Sequence, residues 1–587
     1  MTEPTIKRIG ITLFAVSAAV FISLSFIVDI SFKDKDIGSL FEDKNKGLAI
    51  FISRVEPAPA FQIPSGLRKA FDEYDKEVVN EYGIKSEEVD KFIGTLDSDA
   101  ANFDSSAVSD FFGKESFITA KFLESSSWMI GREWANFDEF KSTLKDKAIG
   151  VNDAIISEYG QAPDQRDTTL LKLMTFGSPD YLKTGFWALL IFGLALLGGF
   201  IHFIPLWRKK PGIHNHHIYH NKSQTRHWPA IIVFVLLVAF YIFLYQFPYY
   251  LANQIVLLKP LSEIMSGGAA NQWFLYGFLY TLAMFTMGAR MMIKYRGNIH
   301  EQVRTVSVFF FQLAFAFTLP QILTRMQLPA YDLKSAWPLE YSFFFDYRID
   351  EYMQNGTLGL FLFGWGIVLF GVGVPVLTYF FGKRWYCSWV CGCGGLAETV
   401  GDPYRHLSDK SLGAWKFERW LVHGVLVFAV LMTVWVAYTS FTGKAELLGV
   451  NSYSVRSTYG FFIGFVFAGA VGTGFYPVLG NRVWCRFGCP LAAYLGLVQR
   501  FKSRFRITTN GGQCISCGNC STYCEMGIDV RWYAQRGQNI VRSSCVGCGV
   551  CSAVCPRGVL KLENKGEEGR INDNPILIGH EGASLNL

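Results

Sequence analysis

Long apolar stretches are the feature that most constrains the fold of this 587-residue chain. A helix needs roughly 17–25 predominantly apolar residues to cross a bilayer. Eight stretches meet that length, at approximately residues 9–28, 185–207, 228–247, 272–289, 305–322, 357–381, 418–440 and 459–480. Half of all residues are hydrophobic. The sequence therefore predicts a polytopic α-helical membrane protein of about eight spans rather than a soluble globular protein.

Charged residues are spread unevenly and predict the orientation of these spans. Residues 29–183 carry 29 acidic and 19 basic side chains, whereas the rest of the chain carries 20 acidic and 36 basic ones. With eight spans, the main basic clusters near the span ends all fall on one side, which the positive-inside rule makes the cytoplasm. They comprise Arg208, Lys209, Lys210, Lys222, Arg226, Arg290, Lys294, Arg296, Arg304, Lys383, Arg384, Arg482, Arg500, Lys502, Arg504 and Arg506.

This orientation divides the chain into segments with different surroundings. The first apolar stretch follows Lys7 and Arg8 and lacks a convincing small-residue cleavage site, so we expect a retained signal anchor. We expect a bacterial cytoplasmic-membrane protein with a mainly helical domain outside and its C-terminal region in the cytoplasm. The predicted segments are the anchor at 1–28, the outer domain at 29–183, helices 2–5 at 184–356, repeated cysteine units with helices 6–8 at 357–510, a cysteine-rich domain at 511–562 and a tail at 563–587.

Two cysteine runs near the C-terminus share one spacing. Residues 514–524 read CISCGNCSTYC and residues 545–555 read CVGCGVCSAVC, which is C-x2-C-x2-C-x3-C twice. This is the bacterial two-cluster ferredoxin pattern, in which the fourth cysteine of each run ligates the other cluster. It predicts an α+β domain with one [4Fe–4S] cluster on Cys514, Cys517, Cys520 and Cys555, and a second on Cys545, Cys548, Cys551 and Cys524. Two structural zinc sites are the alternative.

A second pair of cysteine motifs lies where apolar stretches end. GKRWYCSWVC begins at Gly382 and GNRVWCRFGC begins at Gly480, with the shared pattern G-x-R-x-[YW]-C-x-[WF]-x-C. Such a repeat suggests two related helical units, each supplying two thiols on one membrane face. The four thiols could hold a third [4Fe–4S] cluster, and they are Cys387, Cys391, Cys485 and Cys489.

Other uses of these edge thiols stay open. Soft thiolates also favour Cu(I), and the cysteines could instead be a redox dithiol or small buried residues. The remaining thiol, Cys393, either replaces a ligand or has no role. None of the 13 cysteines lies in residues 29–183, which argues against a disulfide framework.

Histidines give weaker signals. The loop after the second apolar stretch could bind a metal or simply be a basic loop, and its histidines are His214, His216, His217, His220 and His227. His202 and His423, near the ends of helices 2 and 7, could contact a haem b or a quinone. No P-loop, convincing G-x-G-x-x-G, C-x-x-C-H or nucleic-acid-binding pattern occurs, so neither a nucleotide cofactor nor nucleic acid is expected.

The tandem edge motifs followed by a two-cluster ferredoxin tail resemble the NosR/NapH family of membrane polyferredoxins. The segment EMGIDVRWYAQRG at 525–537 is also similar to cytochrome-oxidase accessory proteins of the same superfamily. The resemblance covers about 357–562, with a similar general layout from 185 onward. This sequence departs from the family in three respects. The first edge motif lacks the family's proline, no S/T-G-A-T sequence for a covalent flavin occurs in 29–183, and there are more spans than the family usually has.

The expected function is membrane-bound electron transfer. The chain would pass single electrons between a quinone or a partner protein and clusters on the cytoplasmic side. The alternative is an assembly or regulatory factor for a metalloenzyme, such as a copper-containing oxidase or a reductase. A quinol assay, or the effect of copper on a dependent enzyme, would discriminate the two.

Overall fold

The protein folds into two compact, mainly helical units. One unit comprises Met1–Ala18, Leu189–Gln246 and Leu258–Leu587, and the other comprises Ala19–Ala188 and Phe247–Leu257. The computed structural model describes residues 2–33, 35–41, 46–96, 103, 105–113, 117–130, 132, 136–161, 165–208, 228–328, 331–442, 446–447, 449–510, 513–564, 577–579 and 582–584.

Seven helices of the described ranges are long and apolar enough to cross a membrane. They are Glu3–Ile27, Phe186–Arg208, Trp228–Gln246, Ile299–Arg325, Gly356–Phe381, Leu412–Thr442 and Ser452–Gly474. Each coincides with one of the eight predicted spans, and the polytopic helical fold is confirmed.

The remaining predicted span, at 272–289, is also a helix but is less apolar. It runs over Gln272–Lys294 and is not among the seven candidate spans. Its sequence, QWFLYGFLYTLAMFTMGARMMIK, contains polar, tyrosine and basic residues that lower its hydropathy. Two of these basic residues, Arg290 and Lys294, are paired with the buried Asp402. This helix therefore turns polar groups toward the protein interior.

Three of the apolar helices contain a π-helical segment. These segments are Phe311–Thr318, Leu369–Gly373 and Gly460–Val471. A π-helical turn inserts one extra residue per turn and often occurs at functional sites. The latter two helices lead into the repeated cysteine motifs, and the first carries Gln312, whose side chain contacts one of those motifs.

Shorter elements surround these helices in the same unit. They are the helices Lys259–Ser266, Asp346–Gln354, Arg384–Cys387, Gly392–Thr399, Tyr476–Leu479 and Pro490–Lys502, the 3-10 turn Asp402–Leu407, the π turn Trp484–Gly488, and the hairpins Glu446–Leu447 with Val450–Asn451 and Leu577–Gly579 with Gly582–Ser584.

The predicted α+β character of the C-terminal domain is confirmed. Strand Arg506–Thr509 pairs antiparallel with Leu560–Glu563. Three short helices lie between the two strands, at Asn519–Thr522, Val530–Gln535 and Val550–Ala553. The strands thus join the two ends of a segment that carries all eight ferredoxin-type cysteines.

The second unit is built from helices around its own core. They are Leu48–Ser53, Ile63–Tyr82, Ser86–Thr95, Ser105–Phe112, Phe117–Ser126, Phe137–Tyr159, Arg166–Gly177 and Ala252–Val256, with short 3-10 turns at Ile37–Leu40, Ser127–Met129, Asp180–Thr184 and Pro248–Leu251 and a hairpin between Asp29–Ile30 and Ala58–Pro59. Leu67, Phe71 and Phe140 are among its fully buried side chains. The helical character predicted for residues 29–183 is observed.

Candidate functional site: three sets of cysteines

The two edge motifs have the same local structure. We call residues 382–391 the first edge loop and residues 480–489 the second. Each begins with a glycine of positive φ, 67° at Gly382 and 94° at Gly480, a conformation that residues with a Cβ rarely adopt. In each loop the second cysteine is the N-cap of the next helix, Cys391 before Gly392–Thr399 and Cys489 before Pro490–Lys502. The sequence repeat is therefore also a structural repeat.

The four edge cysteines, Cys387, Cys391, Cys485 and Cys489, come together in one buried cluster, which we call the edge set. Burial, together with the neighbouring Cys391 and Cys485, raises the pKa of the Cys387 thiol to about 12. Burial also raises the pKa of Cys489, with Cys485, Cys391 and Cys387 adding to the effect. Four thiols this close are a donor set suited to a thiolate-bound metal or cluster.

The surroundings of the edge set favour an anionic group. The backbone N–H of Ala492 donates to the Cys489 sulfur at 3.4 Å, within the first turn of a 13-residue helix. Nη1 of Arg482 donates to the Cys485 sulfur at 3.7 Å. A helix N-terminus and a guanidinium both stabilise negative charge, which a thiolate-bound cluster carries. The residues present therefore fit a cluster held between the two edge loops.

Cys393, the leftover thiol, lies beside this set. Its side chain is hydrogen-bonded with that of Cys391, and it is close enough to Cys485 and Cys489 to interact with them electrostatically. The adjacent loop is held by Tyr280, whose hydroxyl donates to the Gly392 carbonyl at 2.8 Å, and by Gln312, whose amide donates to the Val390 carbonyl at 2.5 Å. Two helices thus fix the position of the first edge loop.

The tail cysteines form two further sets. Cys514, Cys517, Cys520 and Cys555, which we call the distal tail set, line one small cavity made only of tail residues. Burial raises the pKa of the Cys520 thiol to about 12, and Cys555, Cys517 and Cys514 add to this. The grouping of these four thiols is the one that the motif predicts, and their role as ligands stays a prediction.

The other tail set comprises Cys524, Cys545, Cys548 and Cys551 and is called the proximal tail set. Burial raises the pKa of Cys551, and the thiols of Cys545, Cys524 and Cys520 add to this. Cys524 thus lies near cysteines of the opposite run, as the crossed pattern of two-cluster ferredoxins requires. The motif, rather than an observed contact, assigns Cys548 to the same set.

The proximal tail set packs directly on the edge loops. The Ser388 hydroxyl of the first edge loop donates to the Val546 carbonyl at 2.8 Å. The Gln499 amide donates to the carbonyls of Arg542 and Cys545 at 2.7 and 2.8 Å and accepts from the Lys383 backbone N–H at 2.7 Å. The tail segment around Cys545 is therefore in direct contact with the first edge loop.

A buried ionic cluster, which the sequence analysis did not identify, joins the edge loops to the tail. Its carboxylates are Glu301, Glu398, Asp402 and Glu525, and its cations are Arg290, Lys294, Arg304, Arg405 and Arg482. Arg482 occupies the arginine position that both copies of the repeated motif share, so the sequence repeat already marked this residue. Although burial opposes ionisation, Arg304, Arg405 and Arg482 hold the pKa of Glu398 well below its usual range.

A cavity of about 550 Å³ reaches from the edge set toward the apolar helices. Its lining includes Cys393 and Cys485 at one end, the aromatic side chains of Tyr276, Tyr280 and Tyr476, and Gln312. Among the described residues, two lining side chains have a buried nitrogen without a hydrogen-bond partner, Trp484 at Nε1 and Arg482 at Nε. The cavity thus combines aromatic walls with a few polar side chains beside the thiols.

The described histidines do not group into a site as the cysteines do. Nδ1 of His202 lies 3.2 Å from the Lys7 carbonyl, and His423 lines a small cavity with Lys383 and Cys485. No contact among the described residues joins these two imidazoles. The five histidines of the loop between helices 2 and 3 lie outside the described residues.

Family comparisons agree with the cysteine geometry. Residues 363–413 and 459–508 each match the description "4Fe-4S binding domain", and residues 513–560 match "4Fe-4S dicluster domain". The first two matches contain the edge loops and the third contains all eight tail cysteines. These matches favour iron–sulfur chemistry over zinc or copper. The matched domains and the seven apolar helices fit a membrane polyferredoxin family, the class that the resemblance to NosR/NapH proteins predicted.

The chain is also similar in sequence to three curated proteins. The chain is 30% identical over 157 residues to "Putative electron transport protein YccM" of Escherichia coli (strain K12), covering 25% of this chain and 43% of that protein. It is 27% and 28% identical to "Methylamine utilization ferredoxin-type protein MauN" of Methylobacillus flagellatus and Paracoccus denitrificans, covering 27% and 26% of this chain. The chain spans about half the length of these relatives. No solved structure matches it significantly.

Proposed function

We propose that the protein transfers single electrons between a membrane quinone and a redox partner protein at the distal tail set. Iron–sulfur electron transport is supported by the matched domains and by the printed names of the relatives. The observation that carries the finer proposal is the cavity of about 550 Å³ beside Cys393 and Cys485. Iron–sulfur clusters on the three cysteine sets would supply one-electron chemistry.

The cavity suits a quinone ring in size and in chemistry. Ligand pockets of about 300–1,000 Å³ are usually apolar and carry a few placed polar groups. Aromatic walls such as Tyr276 and Tyr476 can stack on a planar ring. The amide of Gln312 also lines the cavity, and its second N–H can donate to a quinone carbonyl.

The distal tail set suits exchange with a partner protein. Cys517 is exposed, as are the apolar side chains of Ile515 (56%) and Trp532 (43%). Arg536 stacks over the Trp532 ring at 4.0 Å, and Arg531 lines the distal cavity. An apolar patch with basic residues around it fits a partner with an acidic rim. In this proposal the tail lies in the cytoplasm of a bacterium and residues 29–183 lie outside the cytoplasmic membrane.

The proposal can be tested with the anaerobically purified full chain in lipid nanodiscs. A short-chain quinol mixed with oxidised protein, or the quinone mixed with reduced protein, should change the visible absorption of the clusters. Ala316→Trp places a large ring in the cavity and should slow this reaction at least tenfold without loss of iron. Leu313→Trp, on the same helical segment but outside the cavity lining, is the matched control.

Two results would contradict the proposal. One is that neither quinol nor quinone changes the cluster spectrum of an iron-replete protein. The other is that Ala316→Trp and Leu313→Trp slow the reaction equally. Absence of any quinone reaction, together with copper-dependent loss of an oxidase or reductase in a deletion strain, would favour the assembly-factor function instead.

A further inference from the structure

Glu525 occupies a position where two-cluster ferredoxins commonly have proline, directly after Cys524. The side chain is buried, with 1% of its surface exposed. One carboxylate oxygen accepts from the Asn481 amide at 3.1 Å, and the Ser408 hydroxyl donates to the Glu525 backbone carbonyl at 2.8 Å. A carboxylate at this depth requires cationic partners, because burying a lone charge is strongly unfavourable.

Two arginines provide that charge. Nη1 of Arg405 lies 3.1 Å from one oxygen of Glu525, and Nη2 of Arg482 lies 3.1 Å from the other. The same two arginines also share Glu398, with separations of 2.5 Å from Arg405 and 2.7 Å from Arg482. Each guanidinium is thus held between the same two carboxylates.

Each arginine also donates to a cysteine sulfur, and the two sulfurs belong to different sets. Arg482 donates to Cys485 of the edge set at 3.7 Å. Arg405 donates to Cys548 of the proximal tail set at 3.9 Å. A continuous path of ion pairs and hydrogen bonds therefore runs from one set of thiols to the other through Glu398 and Glu525.

A purely structural or metal-binding role explains this arrangement less well. Oxygens of Glu398 and Glu525 lie within 4.8 Å of each other and of the Cys548 sulfur, a grouping that could hold a metal ion. Yet Arg304, Arg405 and Arg482 already contact Glu398, and these cations repel a metal ion. Hydrophobic residues could hold the loops together at lower desolvation cost than buried ion pairs. The contacts to sulfur point to a redox role.

We propose that Glu525, with Glu398, Arg405 and Arg482, forms an electrostatic bridge that sets the reduction potentials of the edge and proximal tail sets together. Hydrogen bonds to sulfur and nearby charge are the levers by which proteins set cluster potentials. The arginines favour the reduced, more negative state of each set, and the carboxylates oppose them. The inference rests on the proposed electron-transfer function and on cluster binding at both sets.

The signs of the expected shifts distinguish the bridge from a structural role. Glu525→Gln keeps the shape but removes one negative charge, so the midpoint potentials of both sets should rise. Arg482→Gln should lower mainly the edge potential, and Arg405→Gln mainly the proximal one. Arg482→Lys keeps the charge and should restore most of the Arg482→Gln shift. Arg456→Gln, which removes a partner of Asp346 in another part of the structure, is the matched control.

The experiment is a redox titration of the full chain followed by electron paramagnetic resonance, with iron and sulfide assays on each variant. Opposite shifts for Glu525→Gln and Arg482→Gln, at full iron content, would support the bridge. Unchanged potentials, or shifts of the same sign in both variants, would overturn it while leaving the electron-transfer proposal intact. Lack of iron at the edge set in the unsubstituted protein would overturn the bridge and the third cluster together.

Discussion

Asp402 offers the sharpest test of the buried ionic cluster. Its side chain has no exposed surface, and one carboxylate oxygen lies 2.7 Å from both Nη1 of Arg290 and Nζ of Lys294. The other oxygen lies 3.2 Å from Nε of Arg405. In Asp402→Asn the negative charge disappears and an amide N–H₂ replaces one acceptor. At least one buried cation would then lose its acceptor and face another donor.

The expected cost follows from this geometry. Removing one partner of a buried ion pair destabilises a protein by about 3–5 kcal/mol, because a desolvated charge remains. At about 1.36 kcal/mol per tenfold change, local opening becomes roughly 10²–10⁴ times more frequent. Hydrogen exchange of the C-terminal turns of helix Gln272–Lys294 reports this opening free energy directly. Asp346→Asn, whose carboxylate is 43% exposed and pairs with Arg456, should cost only about 0–1 kcal/mol.

The same variant has a defined pH dependence. Although burial opposes ionisation, Lys294, Arg290 and Arg405 hold the pKa of the Asp402 carboxyl well below its usual range. A depressed pKa contributes stability above the unfolded value of about 3.9, and this is lost as the pH falls toward the folded value. The difference between the unsubstituted protein and Asp402→Asn should therefore be constant from about pH 5 to 7, where Lys294 stays protonated although burial lowers its pKa to about 8, and it should shrink below about pH 4. Equal exchange rates for Asp402→Asn and Asp346→Asn at pH 7 would refute the reasoning.

Three further predictions concern cofactor content and topology. Cys548→Ser should lower iron content and alter the spectra of both tail sets, because each set takes a cysteine from the other run; unchanged iron and spectra would rule out the assignment. Cys387→Ser and Cys485→Ser should each remove about four iron atoms per chain, since the edge loops contribute jointly to one [4Fe–4S] site, and a loss in only one variant would contradict joint ligation. A reporter fused near Gly160 should lie outside the cytoplasm and one fused at Leu587 inside, and finding Leu587 outside would overturn the predicted orientation.

Local patterns explain why much of this architecture could be predicted from the sequence. The apolar stretches, the repeat at Gly382 and Gly480, and the grouping of tail cysteines all depend on residues close together in the chain. The motif also contains Arg482, but nothing local indicates which carboxylates it meets. Arg482 pairs with Glu398, 84 residues away, and such pairs depend on how the helices pack.

Three polar residues in the predicted spans or at their ends show the same limit. Gln312 lies inside the predicted span at 305–322, and its buried amide donates to the Val390 carbonyl of the first edge loop. In the sequence, Arg290 and Lys294 are two of the basic residues that predict the cytoplasmic side. In the structure, both side chains are paired with Asp402. Hydropathy measures composition alone, and it cannot distinguish a polar side chain facing lipid from one that supports a buried loop.

The exposure of Cys517 has a consequence for how the protein is damaged by oxidants. Of the 13 cysteines, all of which the structure describes, Cys517 alone is exposed, whereas the four edge cysteines are buried. Oxidants attack accessible thiolates first, so damage by dioxygen or peroxide should begin at the distal tail set and proceed inward. The end proposed to exchange electrons with a partner is then also the end that is damaged first and is most accessible to repair. Oxidation would then interrupt the proposed exchange while the edge set stayed intact.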